Sequence, residues 1–233
     1  MRQRPFVITI DGPAGSGKST LGYLLAEALG FVYFDTGIMY RALTLAALQQ
    51  QIDLHDVDAL EHLARNLPIR VLRPTVGDNR QYTVLLNNED ITWALRGADV
   101  DRQVSLVAGY PAVRRELVQQ QRLIGAQGRV VMVGRDIGTV VMPDAPLKIY
   151  LHASLSERAR RRTIDKQLLG REVSPGEVAR ELARRDELDA RVMQPAPDAL
   201  LLDTDQLTPT EEVAWVLTHW HNRVNGDIAP QSS

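Results

Sequence analysis

A lysine and a serine stand together at positions 18 and 19, closing the run Gly12-Pro13-Ala14-Gly15-Ser16-Gly17-Lys18-Ser19-Thr20. Gly12 through Ser19 fits the pattern G-x-x-x-x-G-K-[ST], and each residue type in it has a task. Glycines allow backbone N–H groups to curl around phosphate oxygens without a Cβ in the way. A helix starting near Lys18 would aim its positive end at the same oxygens. Lys18 adds a mobile cation for the β- and γ-phosphates, and the Ser19 hydroxyl suits a Mg²⁺ ligand. The stretch from Gly12 to Thr20 implies a bound nucleoside triphosphate.

The flanking elements make the match meaningful. Phe6-Val7-Ile8-Thr9-Ile10 is β-branched and apolar, which predicts a buried strand before the loop. Leu21, Leu24, Leu25, Ala28 and Leu29 recur at helical spacing after it, and Gly30 caps the segment. Further strands are expected at Phe31–Phe34, Arg129–Val133, Leu147–Leu151 and Ala199–Asp203. Helices are expected at Ile38–Gln51, Asp56–Asn66, Asp99–Gly125 with a break at Gly109-Tyr110-Pro111, Ser154–Leu169, Ser174–Arg191 and Pro209–Asn222. Between Ile69 and Trp93 the texture changes to short strands, Ile69–Leu72 and Tyr82–Leu86, with Asn87-Asn88-Glu89-Asp90 as a turn. The fold class is therefore α/β: a P-loop NTPase-type parallel sheet flanked by helices, with a small antiparallel sheet inserted. Ligands of such a sheet lie at the carboxyl ends of its strands. That rule draws attention to Asp35-Thr36-Gly37 and Gly134-Arg135-Asp136, each directly after a strand.

Arginine is the other residue type with chemistry to offer. Arg41, Arg114 and Arg135 stand near strand ends or helix turns, while Arg158, Arg160, Arg161 and Arg162 crowd one helix and Arg184, Arg185 and Arg191 the next. Planar guanidinium groups capture phosphate through two parallel hydrogen bonds and spread charge in phosphoryl transfer. The plainer alternative is a set of solvated helix faces balanced by Glu157, Asp165, Glu172, Glu177, Glu181, Asp186 and Glu187. Arg135 is the least compatible with that alternative, since it follows a buried strand and a charge there needs a partner. The five histidines lack metal-ligand spacing, and Trp93, Trp215 and Trp220 are expected to pack rather than stack on a base.

Composition narrows the classes. The chain has 233 residues, 44% hydrophobic and 24% charged, as ordinary globular domains do. Its net charge of −2 argues against a nucleic-acid binder, and the absence of cysteine removes disulfides and thiolate metal sites. No apolar run approaches the roughly 20 residues of a membrane helix, so a cytoplasmic protein with no membrane partner is expected.

Taken together, these motifs resemble the bacterial cytidylate kinases, a family of nucleoside monophosphate kinases. The matching residues are Ile10 through Thr20, Asp35-Thr36-Gly37 with Tyr40-Arg41, Val104-Ser105 through Arg114, Gly134-Arg135-Asp136-Ile137-Gly138-Thr139, Pro143-Asp144-Ala145, Arg185-Asp186 with Asp189, Asp198-Ala199 and Asp203-Thr204. The resemblance implies ATP- and Mg²⁺-dependent phosphorylation of CMP and dCMP by one P-loop kinase domain spanning 1–233. It implies a monophosphate-binding insertion near 68–98 that carries the small sheet, a helical lid near 154–191, and a monomeric enzyme. Carried over residue by residue, Gly12 through Thr20 would bind ATP. Lys18, Arg135, Arg158 and Arg162 would act on the transferring phosphate, with Arg158 and Arg162 on the ATP side. Thr36, Tyr40, Arg41, Arg135 and Arg191 would surround the acceptor nucleotide and its phosphate. Ser105, Arg114 and Asp136 would read cytosine, Arg185 and Asp189 the ribose, and Ser19 would ligate the metal. Two departures stand out: Val133 occupies a place usually held by an acidic residue, and the segment after Asp189 is shortened. The competing readings are a P-loop kinase for UMP, AMP or a small alcohol, a nucleotide-dependent switch, and an arginine-rich RNA binder. No Asn-Lys-x-Asp guanine reader supports the switch.

Overall fold

The structure, a computed structural model, describes residues 6–226 other than 169, 171 and 191. The chain runs β1 (Val7–Asp11), α1 (Lys18–Leu29), β2 (Val32–Asp35), α2 (Gly37–Gln49), α3 (Val57–Asn66), β3 (Ile69–Leu72), β4 (Thr83–Leu86) and β5 (Glu89–Asp90). It continues with α4 (Ala98–Gly109), α5 (Pro111–Ala126), β6 (Val130–Val133), β7 (Leu147–His152), α6 (Leu155–Leu168), α7 (Pro175–Asp189), β8 (Leu200–Asp203) and α8 (Pro209–Gly226).

Five strands form one parallel sheet in the order β2-β6-β1-β7-β8. Strands of parallel sheets are covered on both faces, which is why β1 and β6 are buried along their whole length. Side chains alternate across the sheet. Phe34 and Met132 face the layer that includes α2 and α5, whereas Tyr33, Val131 and Val133 face α1 and α8. Leu21 and Leu25 of α1 are fully buried against that second face, each contributing on the order of 2 kcal/mol. This packing fixes where the start of α1 sits over the sheet.

The small sheet has the antiparallel order β3-β4-β5. Here the sequence expectation needs correction: Glu89 and Asp90 are not part of a turn but pair with Leu86 and Leu85. The turn is only Asn87-Asn88, both at positive φ (50° and 67°), a conformation asparagine tolerates and tight hairpins require. The break between α4 and α5 falls at Tyr110, with Pro111 opening the second helix as its missing N–H allows. One element had no periodic signal in the sequence, a π-helical turn over Ile137–Val141 after β6. Trp220 is buried against Phe31, their rings 5.8 Å apart, while Trp93 stays on the small sheet with Nε1 donating to Asp78 at 2.8 Å.

Candidate active site

The glycine loop joins β1 to α1 at the carboxyl edge of the sheet. Gly12 has φ +145°, and a Cβ there would lie 2.5 Å from the Leu151 carbonyl oxygen of the neighbouring strand, so no other residue fits. Gly15 and Gly17 occupy left-handed conformations, φ 81° and 95°. Lys18 opens α1, and its Nζ donates to the Pro13 carbonyl at 2.5 Å. Loss of water around it, together with Arg135 and Arg185, lowers its pKa to about 7 against the opposing pull of Asp35 and Asp11.

Two carboxylates flank this lysine. Asp11 ends β1 and accepts from the backbone N–H groups of Ile137 and Gly138, both at 2.8 Å, which ties the π-helical turn to the loop. Burial raises its pKa to about 6 in spite of those two bonds. Asp35 ends β2, and one of its oxygens accepts from Gly37 N at 2.9 Å. Its pKa is also raised, by desolvation, with Gly37, Lys18, Arg41 and Arg135 pulling the other way.

Arginines gather around the same lysine. Arg135 donates to Asp189 at 2.8 Å, which brings the end of α7 against the end of β6. Arg185 stands 4.0 Å from the same carboxylate. Its guanidinium is held below its usual range by loss of water and by Arg135, Arg41 and Arg162, with Asp189 opposing. Nearly half of the Arg185 side chain is exposed (45%), so water screens part of that repulsion. Arg41 is anchored by Asp101 at 2.6 Å and the Leu95 carbonyl at 3.0 Å. Thr36 is buried and its hydroxyl donates to Val133 O at 3.1 Å.

Beyond this cluster, Arg114 and Asp136 form an ion pair, and the Arg114 guanidinium lies 5.9 Å from the centre of the Tyr40 ring. Among the described residues no hydrogen bond joins Ser105 to this group, and Ser105 is exposed on α4. Arg158 is buried, held by two bonds to Asp186 at 3.1 and 2.6 Å and by donation to the Ala14 and Ala153 carbonyls, both at 3.1 Å. It therefore stitches α6 to α7 and to the glycine loop, with all three guanidinium nitrogens engaged within the protein. Arg162 is placed close enough to act on Arg185. Gly12 through Thr20 lie together as one loop and helix start, with Ser19 and Thr20 exposed. Arg191 lies outside the described residues.

Sequence reasoning pointed to Asp35 and to the run containing Asp11 without giving either carboxylate a role, and it missed Asp101 and Glu212 as parts of this region. Glu212, in the first turn of α8, is buried near Gly17, and burial pushes its pKa up to about 7 against the pull of Arg161. A carboxylate directly after a predicted strand was the available signal for Asp11 and Asp35, while Asp101 and Glu212 carried none.

A parallel sheet in this order, with a glycine loop leading into α1 and basic side chains converging on it, defines a P-loop phosphotransferase. The model of the family described as "Cytidylate kinase" matches residues 8–222. A cytidylate kinase from Chloroflexus aggregans is 61% identical over 216 residues, covering 93% of this chain and 94% of its own length. One from Roseiflexus castenholzii is 54% identical over 220 residues, covering 94% and 95%. The chain belongs to the cytidylate kinase family. A solved shikimate kinase from Bacteroides thetaiotaomicron shares the fold, with a TM-score of 0.50, 14% identity, and coverage of 92% of this chain and 98% of that one. No helix among the described residues is long and apolar enough to cross a membrane.

Proposed function

We propose that this chain transfers the γ-phosphoryl group of ATP to the phosphate of CMP and dCMP, giving CDP and dCDP. The observation that carries the reading is the clustering of Lys18, Arg41, Arg135, Arg162 and Arg185 at the glycine loop, with the Arg114–Asp136 pair next in sequence to Arg135. So much positive charge, offset within the cluster by Asp35 and Asp189, is stabilised by a polyanion arriving in it. The glycine loop from Gly12 to Thr20 takes the ATP phosphates. Thr36, Arg41 and Arg135 hold the acceptor phosphate, joined by Arg191. Arg185 and Asp189 take the ribose. An acceptor oxygen then attacks the γ-phosphorus in line, with Lys18 and the arginines stabilising the spread charge.

The donor set also suits Mg²⁺, which favours hard oxygen ligands: Ser19 offers a hydroxyl, and the Tyr33 hydroxyl nearby is buried without a hydrogen-bond partner. When bound, the metal neutralises charge on the β- and γ-phosphates. We assign residues 68–98 to the acceptor-binding insertion and 154–191 to a lid that closes to exclude water. A cytoplasmic setting is in keeping with the absence of cysteine.

Base choice follows from hydrogen-bond chemistry. The Asp136 carboxylate accepts from the 4-amino group of cytosine but meets the O4 of uracil acceptor to acceptor. Arg114, with Ser105, donates to N3 or O2 of cytosine, and the N3–H of uracil leaves a donor unpaired. Each mismatch costs roughly 1–3 kcal/mol, so two favour CMP by about two orders of magnitude in kcat/KM. A panel of CMP, dCMP, UMP and AMP in an ADP-release assay tests this. Equal use of UMP or AMP would overturn the assignment of Asp136 and Arg114 as the base reader.

A further inference from the structure

Strand β6 ends in Val133, whose side chain lies in the apolar layer between the sheet and α1; a Cβ added at Gly22 of α1 would sit 2.5 Å from its Cγ2. P-loop proteins commonly hold their metal with the loop Ser/Thr and a carboxylate from a strand end. The end of β6, directly beside β1, offers none here. In the sheet register Val133 is paired with Asp35 on the other side, so apart from Asp11 at the end of β1 itself, the strand-end carboxylate acting on Lys18 comes from β2, one strand further out.

Three observations point at Asp35. Side chains alternate along β2, with Phe34 on one face and Tyr33 on the other, so Asp35 shares the face of Tyr33 that looks toward α1 and hence toward Lys18 and Ser19. Lys18 feels both Asp35 and Asp11, but Asp11 has both oxygens engaged by backbone N–H groups, whereas Asp35 gives one oxygen to Gly37. Lastly, the Tyr33 hydroxyl is buried without a hydrogen bond of proper geometry, and the polar groups acting on it include Asp35 and Ser19. An orphaned buried hydroxyl is costly, and it persists where another partner joins it in the working state.

We propose that Asp35, assisted by the Tyr33 hydroxyl beside Ser19, is the protein's anchor for the water shell of the nucleotide-bound divalent cation, a task that β6 cannot perform with Val133 at its end. Mg²⁺ keeps several waters and uses one or two carboxylates, so a single well-placed carboxylate suffices.

This rests on the nucleotide-binding reading above, and the test separates the two. Binding of a non-hydrolysable ATP analogue is measured twice for wild type, Asp35→Asn and Tyr33→Phe, once with EDTA and once loaded with Mn²⁺, whose water relaxation reports its bound waters. Partners that orient a metal shell carry about 10–100-fold in metal affinity. Asp35→Asn is expected to lose Mn²⁺-dependent affinity in that range and change the relaxation signal, while metal-free binding is not weakened, since a carboxylate opposing the phosphates has gone. Tyr33→Phe, which keeps the ring packing, is expected to follow in the same direction with a several-fold loss. Wild-type Mn²⁺ affinity in both variants, or equal losses with and without metal, would overturn the proposal. Failure of the wild type to bind the analogue at all would instead overturn the nucleotide-binding reading.

Discussion

Around β1, β6 and β7, side chains facing both helix layers are almost completely buried, whereas α6 and α7 meet through three buried apolar residues, Ala159, Val178 and Leu182. The helix pair is held otherwise by charge: Arg158 with Asp186, Lys166 with Glu181, and Arg160 with Glu157 along one helix. The last two lie at the surface, where such pairs contribute about 0–1 kcal/mol each. The Arg158–Asp186 pair is different, since the arginine is buried and also grips the Ala14 carbonyl of the glycine loop. Dispersion and burial thus hold the cradle, while one embedded ion pair and a small apolar cluster hold the α6–α7 pair against the glycine loop. Segments with few buried apolar contacts open at lower free energy than the core. The difference suits a site whose phosphate cradle stays in place while its cover moves.

The sharpest way to isolate the cradle is to remove its cation. Lys18→Ala should lower turnover by on the order of 10³-fold or more while leaving the denaturation midpoint close to wild type. Wild-type turnover in the folded variant would remove the glycine loop from the chemistry.

A matched pair of truncations sets one region against the other. Leu25→Ala hollows the layer under the cradle and should cost about 2–5 kcal/mol of global stability in urea titrations. Leu182→Ala removes a similar volume from the helix pair. Its global midpoint should fall far less, while amide exchange between Leu155 and Asp189 accelerates. The same amides should gain protection in wild type with a bisubstrate analogue bound. Equal global losses in the two variants, or equal protection with and without the analogue, would mean that the cover is as rigid as the core.

The smallest effect is a proton. With its pKa near 7, Lys18 is mostly neutral at pH 8 in the free protein, and phosphates arriving beside it favour the charged form. Calorimetry of nucleotide binding at pH 8, in buffers of different ionisation enthalpy, should show uptake approaching one proton in wild type and clearly less in Lys18→Ala. The sign for folding runs the other way. An unfolded lysine titrates near 10.5, so the unfolded chain binds more protons between about pH 7 and 10.5. Stability contributed through this group therefore rises with pH across that window and is least below pH 7.

What could be read from residue order follows the range of each signal. The strand–glycine loop–helix unit was legible because spacing within one turn specifies it, and the Gly30 cap and the break at Pro111 follow from the same local rules. The residue after a buried strand was a fair guide too: Arg135 was singled out for needing a partner, and it has one. The turn at Asn87-Asn88 was drawn two residues too long because a short edge strand leaves almost no periodic trace.

The identity of each partner was another matter. Asp11 meets Ile137 across 126 positions, Arg41 meets Asp101 across 60, and Arg158 meets Asp186 across 28. The sequence by itself determined the loop that grips phosphate, the alternation of strands and helices, and the supply of arginines. Only the tertiary structure decided which carboxylate neutralises which arginine, and that Asp35 from the end of β2 acts on Lys18 at the start of α1. The physical reason is the strand order β2-β6-β1-β7-β8, which sets strand ends from distant parts of the chain side by side. Charges act through space, and nothing in the local spacing of these residues encodes that order.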